Sequence, residues 1–135
     1  MDRFVRNFIL ASIVYLAVAA VLGLCMLWDQ SLLGLKFVHS HLNMLGWVSM
    51  MIYGVGYHVL PRFSGRPLRY PTMGEVQFWL ANIGLVGMLT FYTVGLYGPS
   101  RAFQGLSVLF GAVEVLSIAL FFYNMMATLL PRTGP

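Results

Sequence analysis

Four apolar runs, over about 8–28, 35–60, 75–97 and 102–130, take up most of the 135 residues and leave only short polar breaks between them. A hydrocarbon core of about 30 Å is crossed by roughly 20 helical residues, and each run reaches that length. Backbone groups in lipid must be paired internally, and none of the runs alternates as barrel strands do, so the runs are expected to be helices. The expected fold is an all-α membrane protein: a four-transmembrane-helix bundle forming a single transmembrane domain over 1–135. The chain is 59% hydrophobic and only 9% charged, whereas a water-soluble domain carries about a quarter charged residues. Too little charged surface is left to hold such a chain in water, and membrane lipid is its expected surrounding.

The breaks at 29–34 and 98–100 are short, and the longest, PRFSGRPLRYPTM, covers 61–73. Short connections make sequential helices antiparallel neighbours. With four spans, Arg3, Arg6, Arg62, Arg66, Arg69 and Arg132 share one side, and only Lys36 and Arg101 lie on the other. Basic residues collect on the cytoplasmic side, which places both termini there. The net charge of +4 therefore follows from topology and is not a nucleic-acid signal. Cys25 is the single cysteine, so no intrachain disulfide forms. The first span is longer than a signal-peptide core and no A-x-A-like site follows it, so it is expected to remain as a span. Trp28, Trp79, Tyr57, Tyr70 and Tyr97 fall near the run ends, as aromatic belts do. Gly54, Gly56, Gly84 and Gly87 permit close helix packing, and Asn43 and Asn82 are expected to bond between helices.

Polar residues in lipid are costly, which singles out His39 and His41 at the start of the second run. Two positions apart on a helix differ by about 200°, so the two imidazoles face opposite sides and reach different partners. Neutral imidazole is a common axial ligand of haem iron. The other reading is a pair of interfacial histidines bonded to headgroups or carbonyls, and the chemistry alone leaves both open. Lys36 and Arg101, at the same depth, suit haem propionates or lipid headgroups equally. Met26 is the best-placed methionine for a further axial ligand, although packing is the commoner role. His58 lies about 25 Å along the same helix from His41 and cannot reach the same iron. Glu114, in the middle of the fourth run, is expected to be protonated, paired or facing a polar cavity, as a proton relay or as a neutral acid bonded to a neighbouring helix.

The segment HSHLNMLGWVSMMIYGVGYHVLP, 39–61, resembles the tenth transmembrane helix of the catalytic subunit, subunit I, of the haem-copper oxidases, above all the cbb-type cytochrome c oxidases. The likeness rests on His39, His41, Leu45, Gly46, Trp47, Gly54, Tyr57 and Pro61. The segment GEVQFWLANIGLVG, 74–87, is similar to the next helix of that family. The likeness is strong over 37–88 and weak elsewhere; chain length and helix count fit the last four helices of the family, one arc of its fold. It implies that His39 and His41 ligate haem iron, on the high-spin and low-spin haem respectively, near the outer side of a bacterial inner membrane. His58 stands where the family usually has an aromatic. The family's copper ligands and its second low-spin ligand have no counterpart among the three histidines.

The resemblance and the missing ligands together point to a b-type haem held in a homo-oligomer, trimer or dimer, with His39 of one copy opposite His41 of another. The expected role is electron transfer or gas-responsive haem binding. The alternatives are an oligomeric membrane oxidoreductase acting on oxygen, nitric oxide or quinol, and a non-catalytic assembly subunit whose histidines bind copper or haem in transit. No catalytic residue and no redox partner is assigned.

Overall fold

The computed structural model describes residues 2–130; Arg132, part of the basic count above, lies outside the described residues. Among the described residues, all regular structure is helical: α1 (Arg3–Trp28), α2 (Lys36–His41), α3 (Met50–Phe63), α4 (Pro71–Tyr97) and α5 (Arg101–Leu129). A 3-10 segment, Gln30–Leu35, joins α1 to α2, and a π-helical segment, Leu42–Ser49, joins α2 to α3 without a break. The stretch from α2 to α3 is therefore one rod with a widened middle. The result is an all-α membrane bundle of four rods. Three of them, α1, α4 and α5, at 26, 27 and 29 residues, are each long and apolar enough to cross a membrane.

Local chemistry sets the ends. The Asp29 side chain accepts from Ser31 N at 2.9 Å and opens the 3-10 segment. Pro71 begins α4, where its missing N–H costs nothing. Ser100 Oγ accepts from Ala102 N at 3.2 Å to cap α5. Helix α1 starts ahead of its apolar run because Phe4 and Val5 are already buried, with Phe4 edge-on to Tyr57 at 5.3 Å.

The expected 61–73 loop is shorter than its composition suggests, because α3 runs through Pro61 to Phe63. Proline removes one helical donor. The last turn is held instead by Arg62 donating to the His58 carbonyl, and by Ser64 Oγ donating to Pro61 O at 3.0 Å. Gly65, at φ 64°, turns the chain out of the helix. Arg66 then donates to the carbonyls of Leu129 and Leu130, at 3.1 and 2.6 Å, which α5 leaves without helical partners.

Helices α4 and α5 form the closest pair. A β-carbon on Gly84 would lie 2.7 Å from Glu114 N, so the missing side chain is what lets the two backbones meet. Gly87 likewise faces the Phe110 ring. The rod packs along α1, with Gly46 against Tyr15 and Gly54 against Ile9. Its contact with the hairpin is oblique: α2 and the π segment touch α4, whereas α3 touches α5. The second rod and α4 are thus neighbours, as expected of sequential helices, through α2 and the π segment, while α3 packs mainly on α1 and α5. The core beneath this crossing is aromatic, with Phe8 5.5 Å from Tyr53 and 5.1 Å from Phe78, and Tyr53 4.7 Å from Phe121.

Trp28, Trp79 and Tyr97 are exposed near rod ends. Tyr57, expected in the same aromatic belt, is instead buried in the core, where its hydroxyl donates to Gln77 Oε1 at 2.6 Å. A phenol is stable at that depth because its one polar atom is matched.

Candidate functional site

The rod widens immediately after the second histidine. In a π-helix the backbone bonds reach back five residues, and Ser49 Oγ adds a donor to Met44 O at 2.8 Å, over the same separation. Gly46 sits at the widened stretch because the Tyr15 ring of α1 fills the place of its side chain: a β-carbon there would be 2.7 Å from the ring. Such widened segments recur at functional sites. Here the widening resets the faces that α2 and α3 present, so that Val38 and Leu42 border grooves between α1 and α4 while Tyr53 and Tyr57 turn into the core.

The two histidines meet different helices. His39 lies against α1: its Nδ1 is 3.1 Å from Ala19 O, and a β-carbon on Gly23 would be 2.9 Å from its Cε1. His41 keeps its Nδ1 2.8 Å from Phe37 O, one turn back on its own helix. Its ring lies 3.9 Å from the Phe37 ring, which in turn stacks on Tyr92 of α4 at 4.2 Å. A carbonyl oxygen only accepts, so in the neutral imidazole each Nδ1 carries the proton and each Nε2 keeps a lone pair. Among the described residues no hydrogen-bond partner meets His41 Nε2. The Asn43 amide nitrogen stands 3.4 Å from His39 Nε2 and donates to His39 O at 2.9 Å. Asn43 therefore serves its own rod, and the expected interhelical bond from it is not made. Asn82 does bond between helices, accepting from Tyr15 OH at 2.8 Å.

Lys36 and Arg101 are exposed at the same end of the bundle as the histidines. Arg101 borders a groove of about 640 Å³ with Tyr92, Gln104 and Ser107. Beside the rod, two apolar grooves of about 590 and 370 Å³ share Val38, Leu42 and Thr93. His58 is far from both: it sits at the other end with Arg62 Nη1 2.7 Å from its Nδ1. Met26 is buried in the last turn of α1. Among the described residues no cluster of three or more His, Cys, Asp or Glu side chains forms a metal site. The parts that sequence reasoning did not supply are Ala19 and Gly23, which seat His39, and the stack of His41, Phe37 and Tyr92. The i, i+4 spacing of Phe37 and His41 was the available signal for the stack.

These features define a helical membrane bundle whose second rod bears two oppositely directed, tautomer-fixed imidazoles at one end. Over 49 residues the chain is 41% identical to the Cbb3-type cytochrome c oxidase subunit CcoN1 of Stutzerimonas stutzeri. The matched stretch is 36% of this chain and 10% of that protein, so the chain spans only a small part of the relative's length. No family model matches the chain, and no solved structure matches it. The likeness is partial, and relates the chain to an oxidase subunit across the matched stretch alone.

Proposed function

We propose that this chain is a haem-binding integral membrane protein related to haem-copper oxidase subunit I, with His39 and His41 as axial ligands of b-type haem. The reading rests on one observation: each imidazole commits Nδ1 to a backbone carbonyl, at 3.1 Å for His39 and 2.8 Å for His41. Ligating histidines are oriented in this way, with the outer bond fixing the ring and raising the basicity of Nε2. The donor set fits haem: a neutral imidazole, apolar grooves alongside, and cationic Lys36 and Arg101 at the same end for the propionates. For His39 to ligate, the Asn43 amide gives up its place beside Nε2.

Bound haem b supplies a one-electron iron couple. The chain's part is to hold the ligating nitrogens still. Ala19 and Gly23 fix the His39 ring on one flank, and Phe37 fixes the His41 ring on the other. His58 is at the far end, so one chain offers each iron a single imidazole. A homo-oligomer, trimer or dimer, brings His39 of one copy to His41 of the next, and exposed Ser40, Met44 and Trp47 are the surface on which the copies meet. The role is electron transfer or gas-responsive haem binding. The arginines at the end opposite the histidines support an orientation with both termini cytoplasmic, and the likeness to an oxidase subunit supports a bacterial inner membrane.

The test is the optical spectrum and detergent-phase mass of the purified protein. The expected result is a haem absorbance and a mass above one chain, with His39→Ala and His41→Ala each lowering haem content and the double variant abolishing it. No haem absorbance, or a double variant that keeps all its haem, overturns the reading. Carbon monoxide added to the reduced protein separates the two roles: six-coordinate iron leaves the spectrum unchanged, and an open coordination position shifts it.

A further inference from the structure

Glu114 is buried in the middle of α5 at 2% exposure, and Gln77 of α4 is fully buried at 0%. Among the described residues, both carboxyl oxygens of Glu114 and the Gln77 amide nitrogen have no hydrogen-bond partner. Three such atoms in one bundle call for an explanation, because a buried polar atom left unpaired forfeits the hydrogen bonds it made to water, and a buried charge forfeits more.

The orphans are the ends of a polar seam that starts at the arginine end. There, Asn124 donates to Tyr70 O at 2.9 Å and accepts from Tyr70 N at 3.3 Å. Tyr57 of α3 lies next to Asn124 and donates to Gln77 Oε1 at 2.6 Å. Ser117 Oγ of α5 donates to Gln77 O at 3.4 Å. Ser117 lies three residues after Glu114, one turn away on the same helix face. Facing Glu114 across the core are two titratable groups, Tyr15 of α1 and Tyr53 of α3. From α4 the backbone at Gly84 lies against the Glu114 backbone. Among the described residues, no cation faces Glu114 from any of these elements.

A carboxyl group with no cation to pair it, in a seam with spare donors and acceptors, is suited to a proton and to water. A buried water is held by two to four polar partners, and the Gln77 amide nitrogen and the Glu114 carboxyl oxygens are the unpaired groups that water entering the seam would bond. We propose that Glu114 and Gln77 form a hydrated proton-holding site inside the bundle, reached from the arginine end along Tyr70, Asn124, Tyr57 and Ser117. The transfer is proton exchange alone. A proton passes along seam water to the Glu114 carboxylate to give the acid, and leaves by the same route, with no change of oxidation state. The site stands independently of haem binding.

Infrared spectroscopy of the purified protein tests this. The other acidic side chains, Asp2, Asp29 and Glu75, are exposed, and a protonated-carboxyl carbonyl stretch at neutral pH is assigned to Glu114 by its loss in Glu114→Gln. The expected result is such a band in the wild type that shifts within the mixing time in heavy water and is absent in Glu114→Gln. In Gln77→Leu the band is expected to move and to exchange more slowly. Glu114→Asp, which keeps the acid, is expected to move the band, and serves if Glu114→Gln does not fold. A wild type with no such band, a band that fails to shift in heavy water over hours, or a Gln77→Leu band unchanged in position and rate each overturns the proposal.

Discussion

The His39 ring occupies the space that a side chain at Gly23 would need: a β-carbon at Gly23 would lie 2.9 Å from His39 Cε1. The same ring holds Ala19 O at 3.1 Å through Nδ1. One backbone position on α1 therefore gives the imidazole its room, and another, one turn away, gives it its direction.

Gly23→Ala is accordingly expected to push the ring out of its seat while leaving the helix intact, since alanine is the better helix former by about 1 kcal/mol. The lost bond to Ala19 O costs about 0.5–1.5 kcal/mol, so the thermal midpoint in detergent should move little. The Nε2 atom loses its fixed direction, and haem content should fall well below that of the wild type. Haem-to-protein ratio measured beside thermal unfolding checks both halves. An unchanged haem content would mean that the His39 seat is irrelevant to ligation.

The α4–α5 contact makes a sharper demand on stability. At Gly84 the obstructing atoms belong to the backbone of Glu114, which cannot rotate away, whereas a β-carbon on Gly105 meets nothing within 4 Å. Gly84→Ala should separate the two helices and cost on the order of 1–3 kcal/mol by overpacking. Gly105→Ala, on the same hairpin, should be neutral or gain up to about 1 kcal/mol of helix propensity. Unfolding in detergent with both variants side by side measures the difference, and equal effects would contradict the close backbone approach.

Much of this arrangement was legible in the sequence, for a physical reason. An apolar run of lipid-crossing length with at most one charged residue has few ways to satisfy its backbone, so the helices over 8–28, 35–60, 75–97 and 102–130 follow from hydropathy alone. The glycines at 54, 84 and 87 likewise mark close approaches because only a missing side chain allows them. What could not be read is whatever depends on partners distant in the chain. The π segment Leu42–Ser49 has no composition of its own. It is stabilised where Tyr15 of α1 packs on Gly46. Pro61 looked like a helix stop, yet α3 continues past it because Arg62, Ser64 and Arg66 supply donors from outside the regular ladder. Tyr57 looked like an interfacial aromatic until Gln77 of another helix offered its hydroxyl a partner. Of the candidate site, the two histidines and their separation on the rod were visible, but the carbonyls that fix their tautomers were not.

At the histidine end, the exposed Asp29 carboxyl accepts from Ser31, and these hydrogen bonds hold its pKa below the ordinary carboxylate value. A group whose folded pKa is depressed contributes order above its unfolded pKa and loses it as pH falls through the lowered value. The 3-10 segment Gln30–Leu35 should therefore keep its start at neutral and mildly acidic pH and loosen only under strong acid. The Ser31 amide resonance followed by NMR reports this directly. Asp29→Ala should show the loosened position at every pH, and a wild-type Ser31 resonance that moves near neutrality would contradict the assignment.

The hydroxyl of Tyr57 and the amide of Gln77 give the last prediction, because they divide stability from proton access. Tyr57→Phe removes a donor that holds Gln77 Oε1 at 2.6 Å and leaves that oxygen buried without it. A newly orphaned acceptor costs about 1–3 kcal/mol, more than the net value of an ordinary bond. Gln77→Leu takes the acceptor from the Tyr57 hydroxyl, which keeps Asn124 beside it, but it also deletes the orphaned amide nitrogen with a side chain of similar size, and should be the milder change even though it is chemically the larger one. The expected order of thermal stability in detergent is wild type, then Gln77→Leu, then Tyr57→Phe. If Tyr57→Phe unfolds at or above the temperature of Gln77→Leu, water has already taken the place of the phenol. The seam would then be wetter between Asn124 and Gln77 than the direct 2.6 Å bond implies.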